Sequence, residues 1–248
     1  MNILCVGNSF AVNAATYLHQ IAEAAGEDIN IYVLYIGGCP ISLHWKNFLS
    51  KDKAYEFYIN GNKTPAMWCD IFEGLNYKKY DYITFQQVST DSGDPKSFFP
   101  ELTKLMEGIR QYSDATYLLH KTWSYAKYHN HWKYGCDPLD QDAMDKDIYN
   151  AYLEVSKKAN IPYIIPSGEA IRLARLKYGD NLNCDGYHMN ELGNTLLGIL
   201  WTLYFSKKED IDISKFTPNE QVDKKELETL KSIAIEALKN NKGYNLDD

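Results

Sequence analysis

The sequence predicts an α/β protein in which a parallel sheet is covered by helices on both faces. Two observations carry that expectation. Short apolar runs of strand length alternate along the chain with stretches of helical periodicity, the pattern of successive βα units. Such runs are strands buried on both sides, which places helices above and below them. The chain has 248 residues, 45% of them hydrophobic, enough to bury one sizeable core, and it contains neither a low-complexity linker nor an internal repeat. One domain over 1–248 is therefore expected.

The elements follow in order. Residues 2–6 read as the first buried strand, stopping at Gly7-Asn8-Ser9-Phe10, where a helix-like pattern begins at once. Leu18, Ile21, Ala22 and Ala25 hold helical spacing, and Gly26 suits the helix end. Ile31 to Ile36 is a second strand running into Gly37-Gly38, and Tyr80 to Phe85 a third running into Gln86-Gln87. Helical spacing returns at Leu102, Leu105, Met106 and Ile109; 116–120 is a fourth strand and 162–165 a fifth. Helices are expected over 142–159 and 168–177 and through Leu196, Ile199, Leu200 and Leu203. A last helix carries Leu227, Leu230, Ala234 and Ala237 behind the capping pair Asp223 and Glu226, within a C-terminal helical extension of about 207–248. Two segments break the rhythm: 52–68, whose Asn60-Gly61 turn between β-prone runs predicts a hairpin insertion, and 121–141, a long aromatic loop without periodicity.

Composition excludes several functions. The net charge is −7 with no Lys/Arg-rich block, so the cationic footprint of a nucleic-acid partner is missing. The five cysteines are scattered, without a C-x-x-C pair, a poor disulfide framework and a poor zinc site. No long apolar run suggests a membrane span, and no secretory leader opens the chain; the expected residence is cytoplasmic unless a signal peptide has been removed. No G-x-G-x-x-G or G-x-x-x-x-G-K-[ST] follows any strand, which disfavours a nucleotide-binding protein.

In an open parallel sheet, ligands bind beyond the carboxyl ends of the strands, so the ends at Gly7-Asn8-Ser9, Gly37-Gly38 and Gln86-Gln87 should face one crevice. Ser9 would stand at a helix start, where backbone N–H groups favour developing negative charge. A serine needs a base held by a third group, and "NCDGYHMNELG" offers one: Asp185 and His188, three residues apart, ahead of a helix. Taken alone, Ser9 or Asn8 would read as an ordinary helix cap, and His188 as a structural histidine.

Together, Gly7-Asn8-Ser9-Phe10 and Asp185-Gly186-Tyr187-His188 resemble the SGNH (GDSL-type) hydrolase superfamily, whose esterases carry a G-D-S block after the first strand and a D-x-x-H block before the last domain helix. The resemblance covers roughly 2–205 in block order. It implies a flavodoxin-like three-layer α/β/α sandwich with five parallel strands in the order 2-1-3-4-5. It further implies a triad of Ser9, His188 and Asp185, with an oxyanion hole formed by the N–H groups of Ser9 and Gly38 and the side-chain amide of Gln87. Asn8 departs from the usual Asp, and "FQQVSTDSG" stands where the superfamily carries G-x-N-D; Gln87 matches the glutamine of a Q-G-E block in its sialate-type carbohydrate esterases. Gly37 competes with Gly38, and Gln86 with Gln87.

The expected function is a serine esterase acting on a small acyl ester, an O-acetyl group on a carbohydrate being the favoured guess, without metal or organic cofactor. His44, after the strand-two glycines, and Trp123, among the loop aromatics Tyr125, Tyr128, Trp132 and Tyr134, are candidate substrate-binding residues, with packing as the bland alternative. His129-Asn130-His131 lacks evident further ligands for a metal. The competing hypothesis is a non-catalytic module of the same fold that binds a glycan or a partner.

Overall fold

The computed structural model describes residues 1–218 and 222–246, with the backbone alone at Ala66 and Met67; the remaining parts of the expected 207–248 extension lie outside the described residues. In chain order the elements are β1 (Asn2–Gly7), α1 (Ser9–Ala15), α2 (Leu18–Ala24), β2 (Asn30–Tyr35), α3 (Ile41–Ser50), β3 (Tyr55–Ile59), β4 (Asn62–Cys69), α4 (Ile71–Tyr77) and β5 (Tyr82–Phe85). They continue with α5 (Glu101–Arg110), β6 (Thr116–His120), the two-residue strands β7 (Asn130–His131) and β8 (Gly135–Cys136), α6 (Gln141–Ala159), β9 (Tyr163–Ile165), α7 (Ser167–Tyr178), α8 (Glu191–Ser206) and α9 (Lys224–Asn240).

The main sheet runs β4-β3-β2-β1-β5-β6-β9. Its five parallel strands, β2-β1-β5-β6-β9, follow the 2-1-3-4-5 order, and successive pairs are all parallel. Helices α1, α2, α7, α8 and α9 pack together on one face, and α3, α4 and α5 on the other. The runs Ile3-Leu4-Cys5-Val6 and Ile31-Tyr32-Val33-Leu34 are buried throughout, as strands sandwiched between helix layers must be.

The hairpin expected over 52–68 is present as β3 and β4, and it does not stand apart from the sheet. Strands β3 and β4 join the sheet antiparallel to β2, extending it to seven strands. The reason is the edge of β2: left unpaired, it would expose a row of backbone donors and acceptors, and the hairpin covers it while Phe57 packs beside Tyr32, ring centroids 6.2 Å apart. The opposite edge, β9, is covered by the C-terminal turn, where Ile164 N–H donates to Tyr244 O and Asn241 Nδ2 to Ile164 O. Asp223 caps α9 as its spacing predicts, accepting from the Glu226 N–H, and Leu227, Leu230, Ala234 and Ala237 are its buried stripe. Among the described residues, no helix is long and apolar enough to cross a membrane.

Register sets the level of the functional edge. Gly7 pairs with Tyr35, Val6 with Phe85 and Phe85 with Leu119, so Gly7, Gln86 and His120 stand side by side at the carboxyl ends. Gly7 admits no side chain: a Cβ there would lie 2.9 Å from Ala11 Cβ and 3.2 Å from Gln86 Cδ.

Candidate active site

A buried chain of hydrogen bonds builds the floor of the crevice. Asn8 caps α1, its Oδ1 accepting the Phe10 N–H at 3.2 Å. The same oxygen accepts from Gln86 Nε2 at 2.7 Å, and Asn8 Nδ2 donates to Cys39 O at 3.2 Å. Gln86 Oε1 in turn accepts from His120 Nδ1 at 2.6 Å. Asn8 therefore ties the end of β1 to the loop after β2 and to the end of β5. An aspartate, lacking a donor when ionised, cannot hold the Cys39 carbonyl this way, which is the physical reason for an amide at this position. His120 is fully buried, and burial lowers its pKa to about 3, so its ring is neutral and Nδ1 carries the donated proton. Neither Gln86 nor His120 was singled out for this role by the sequence; the signal was the level of the strand ends, visible only once register is known.

Half-buried Ser9 is the first residue of α1. The cap takes the N–H of Phe10 on its side chain and that of Ala11 on its carbonyl, and takes none from Ser9. Asn13, one turn further along the same face, reaches across to the loop before α8. Its Nδ2 donates to Met189 O and to Asn194 Oδ1, and its Oδ1 accepts the Met189 N–H. That clamp fixes the backbone next to His188 against α1. The His188 ring lies edge-on to Phe10, centroids 6.2 Å apart.

Asp185 and His188 form one unit, closed by a hydrogen bond from Cys184 N–H to His188 O. Asp185 Oδ1 accepts the N–H groups of His188 at 2.8 Å and Tyr187 at 3.2 Å, and Oδ2 accepts from His188 Nδ1 at 2.6 Å. Burial works to raise the Asp185 pKa, but the hydrogen bonds from the His188 backbone and ring and from Tyr187 prevail and hold it below the usual carboxylate value. With Nδ1–H given to the carboxylate, His188 Nε2 is left as the acceptor; it is buried and, among the described residues, has no hydrogen-bond partner. The Ser9 hydroxyl does not bond it in this state.

Gln87 does not stand where the expectation put it. Its Nε2 donates to Ser97 O at 2.8 Å and Ser97 Oγ at 3.1 Å, while its Oε1 accepts the N–H groups of Ile41 and Val88. Both amide ends are spent on fastening α3 and the loop after β5, so Gln87 is a brace and not a free donor. Gly38 lies exposed in the Ile36–Cys39 turn with φ of +59°, a conformation that favours glycine, and the Asn8–Cys39 bond anchors that turn beside Ser9.

The two substrate-binding expectations are corrected as well. His44 is fully buried against Tyr55, its Nδ1 3.1 Å from the Tyr55 hydroxyl. Trp123 is wholly buried, stacked on Phe10 at 4.3 Å with its Nε1–H given to Tyr187 O. Both are packing residues. The loop aromatics that face solvent are Trp132, 80% exposed, and Tyr128, 55% exposed. The loop carrying them is fastened to the His188 segment: Ala126 N–H donates to Gly186 O at 2.7 Å, and Tyr125 and His129 pack on Tyr187. His131 spends both ring nitrogens on backbone, Nε2 on Thr90 O and Nδ1 on the Lys133 N–H. Among the described residues, no group of three or more His, Cys, Asp or Glu side chains is placed to hold a metal ion.

The family model described as Domain of unknown function (DUF4886) matches residues 2–237. The chain belongs to the DUF4886 family. A crystal structure of a DUF4886 family protein from Bacteroides uniformis is 30% identical, covers 100% of this chain and 98% of its own, and superposes with a TM-score of 0.88. A candidate SGNH hydrolase from Slackia heliotrinireducens is 19% identical, with a TM-score of 0.57 over 82% of this chain and 97% of its own. A candidate GDSL-like lipase from Parabacteroides merdae is 12% identical, with a TM-score of 0.53 over 84% of this chain and 96% of its own. The fold of this DUF4886 chain is that of the SGNH hydrolases. A comparison with curated proteins returns no match.

Proposed function

We propose that the protein is a serine esterase that hydrolyses small acyl esters through Ser9, His188 and Asp185. The observation that carries this reading is the His188 ring: Nδ1 is held by Asp185 at 2.6 Å, while Nε2, beside the start of α1, is buried without a partner among the described residues. A histidine with one nitrogen oriented by a carboxylate and the other left as an unsatisfied acceptor is a general base awaiting a proton.

In this mechanism the Ser9 hydroxyl turns to His188 Nε2 as substrate enters, gives up its proton and attacks the ester carbonyl. The oxyanion is held by the backbone N–H groups of Ser9 and Gly38, with Gln87 supporting the crevice from behind rather than donating. His188 returns its proton to the leaving alkoxide, Asp185 stabilising the imidazolium meanwhile. Water activated by His188 then hydrolyses the acyl-enzyme. The substrate we favour is an O-acetyl group on a carbohydrate, its ring lying against the exposed faces of Trp132 and Tyr128 on the loop fastened to Gly186.

The unmade bond between Ser9 and His188 and the engaged amide of Gln87 are the observations on the side of a binding module without turnover. Turnover of an aryl acetate and of an O-acetylated monosaccharide by native protein and Ser9→Ala separates the two. The esterase reading expects a loss of about 10³-fold or more in kcat in the variant. Equal rates, or no hydrolysis by either protein, would overturn it.

A further inference from the structure

The edge that carries Ser9 continues onto the hairpin. Gly7, two residues before Ser9, is level with Tyr35, Tyr35 with Glu56 and Glu56 with Trp68, so one line crosses β1, β2, β3 and β4. Directly paired residues share a face of the sheet. Tyr32 and Phe57 turn to Tyr77 of α4. Tyr35, Glu56 and Tyr58 stand an odd number of residues from them along their strands, so they and Trp68 turn to the side of α1. On that side α1 and α2 pack on β2, and the hairpin meets them at its tip, where Gly61 lies against the Thr16 carbonyl. Trp68, away from the tip, is 56% exposed.

This line presents aromatic faces with polar groups set between them. The Tyr35 and Tyr58 rings meet edge to face, centroids 5.6 Å apart. Glu56 Oε2 is held by Lys63 Nζ at 2.8 Å, while Oε1 accepts nothing among the described residues. Burial, then the Glu56 carboxylate, raises the pKa of both phenols and Lys63 lowers it, so both charges lie beside both rings. The Tyr35 hydroxyl lies over Gly37, where a Cβ would come within 3.1 Å of it, and it too has no hydrogen-bond partner among the described residues. Neither that hydroxyl nor Glu56 Oε1 is buried, so both are open to a ligand.

We propose that Tyr35, Glu56, Tyr58 and Trp68 form a subsite for a neutral oligosaccharide, its chain running from the Gly37-Gly38 turn to Trp68, about 14 Å from Gly7 at strand spacing. Glu56 and Lys63 cancel one another, which suits an uncharged ligand, and a purely apolar one would strip water from that pair without replacing it. The bare edge of β4 is a poor template for a strand of a second copy, because the segment between Lys63 and Trp68 breaks register with β3 and Pro65 offers no N–H. Aromatic faces beside an open carboxylate oxygen and an open hydroxyl match a ligand with apolar ring faces and hydroxylated edges. The subsite lies on the β2 side of Ser9, and the loop of Trp132 and Tyr128 follows β6 on the other, so the two together call for more than one sugar ring. It rests on the esterase reading only in making this chain the alcohol part of the substrate; binding itself needs no turnover.

The test is a protein-observed NMR titration of the full chain with xylotetraose, cellotetraose and N-acetylchitotetraose, the Trp68 indole N–H being assigned by its loss in Trp68→Ala. The proposal expects saturable shifts of that signal and of the Tyr35 and Tyr58 amides with at least one of the three. Read at the Tyr35 amide, affinity should fall at least tenfold in Trp68→Ala, a change at an exposed position. Read at the Trp68 indole, it should fall at least threefold in Tyr35→Phe, which keeps the ring and removes the hydroxyl. No saturable shift with any of the three sugars, equal affinity in Trp68→Ala, or a dimer that buries the Trp68 indole and that none of the sugars dissociates would each overturn the proposal. Binding that depends on Trp68 in a protein that hydrolyses no ester would uphold the subsite and overturn the esterase reading alone. Hydrolysis of an O-acetylated monosaccharide without Trp68-dependent binding would do the reverse.

Discussion

Replacing Asn8 by aspartate tests the floor of the crevice. Asn8 is 2% exposed, and its Nδ2 is the donor that holds Cys39 O at 3.2 Å. Ionised aspartate removes that donor and sets a carboxylate oxygen against the carbonyl. The N–H groups of Phe10 and Gln86 still reach the other oxygen, which limits the damage. An unsatisfied buried acceptor costs about 1–3 kcal/mol. Placing the penalty at about 2.7 kcal/mol raises the carboxyl pKa by about 2 units in the folded state. The sign follows: the acid prefers to be neutral when folded, so the penalty is complete above the folded value and shrinks as pH falls toward the unfolded value near 3.9. Urea unfolding of native protein and Asn8→Asp should differ by about 2.7 kcal/mol at pH 7.5 and by about 1 kcal/mol at pH 4.5, where the protonated acid donates to Cys39 O again. A difference independent of pH, or a variant as stable as the native protein, would refute the assignment of Asn8 as an obligatory donor.

Three further outcomes are expected. Asp185→Asn should lower kcat by about 10⁴-fold, because an amide favours the wrong tautomer of His188, while the melting temperature changes little, since the Asp185 side chain is 43% exposed. Gln87→Ala should lower stability by about 1–3 kcal/mol through loss of its bonds to Ser97, Ile41 and Val88, with kcat reduced less than tenfold; a loss of 10²-fold or more would return Gln87 to the oxyanion hole. His44 and His120 are fully buried, and burial lowers the pKa of each to about 3. Below about pH 6.5 the unfolded chain takes up protons that the folded chain refuses, so stability is full above that value and is lost as pH falls toward 3. Each histidine should cost about 2 kcal/mol at pH 5, read as a lower urea midpoint than at pH 7.5; equal midpoints would contradict their burial as neutral rings.

The blocks at 7–10 and 185–188 were legible because they are local. A glycine-asparagine-serine turn after an apolar run, and a carboxylate three residues before a histidine, are readable without knowing what packs on them. The choice between Gln86 and Gln87 was not. Adjacent residues of a strand end face opposite sides, so one amide had to turn toward Asn8 and the other toward α3, and only the register with β1 decides which. Trp123 and His44 failed for a related reason. Neither an aromatic in a non-periodic loop nor a histidine after a strand end shows in sequence what lies over it, and here Phe10 of α1 covers Trp123 and Tyr55 of β3 covers His44. The hairpin was visible from Asn60-Gly61, but its attachment to the free edge of β2 is a tertiary fact.

The central claim is that Ser9 is a nucleophile activated by His188. Its most direct test is intact-mass measurement after exposure to a fluorophosphonate, followed by peptide mapping, for native protein, Ser9→Ala and His188→Gln. The account predicts a single adduct on Ser9 in the native protein, none in Ser9→Ala, and labelling slowed by at least 10²-fold in His188→Gln. A native protein that takes up no label, or an adduct that persists in Ser9→Ala, would contradict it.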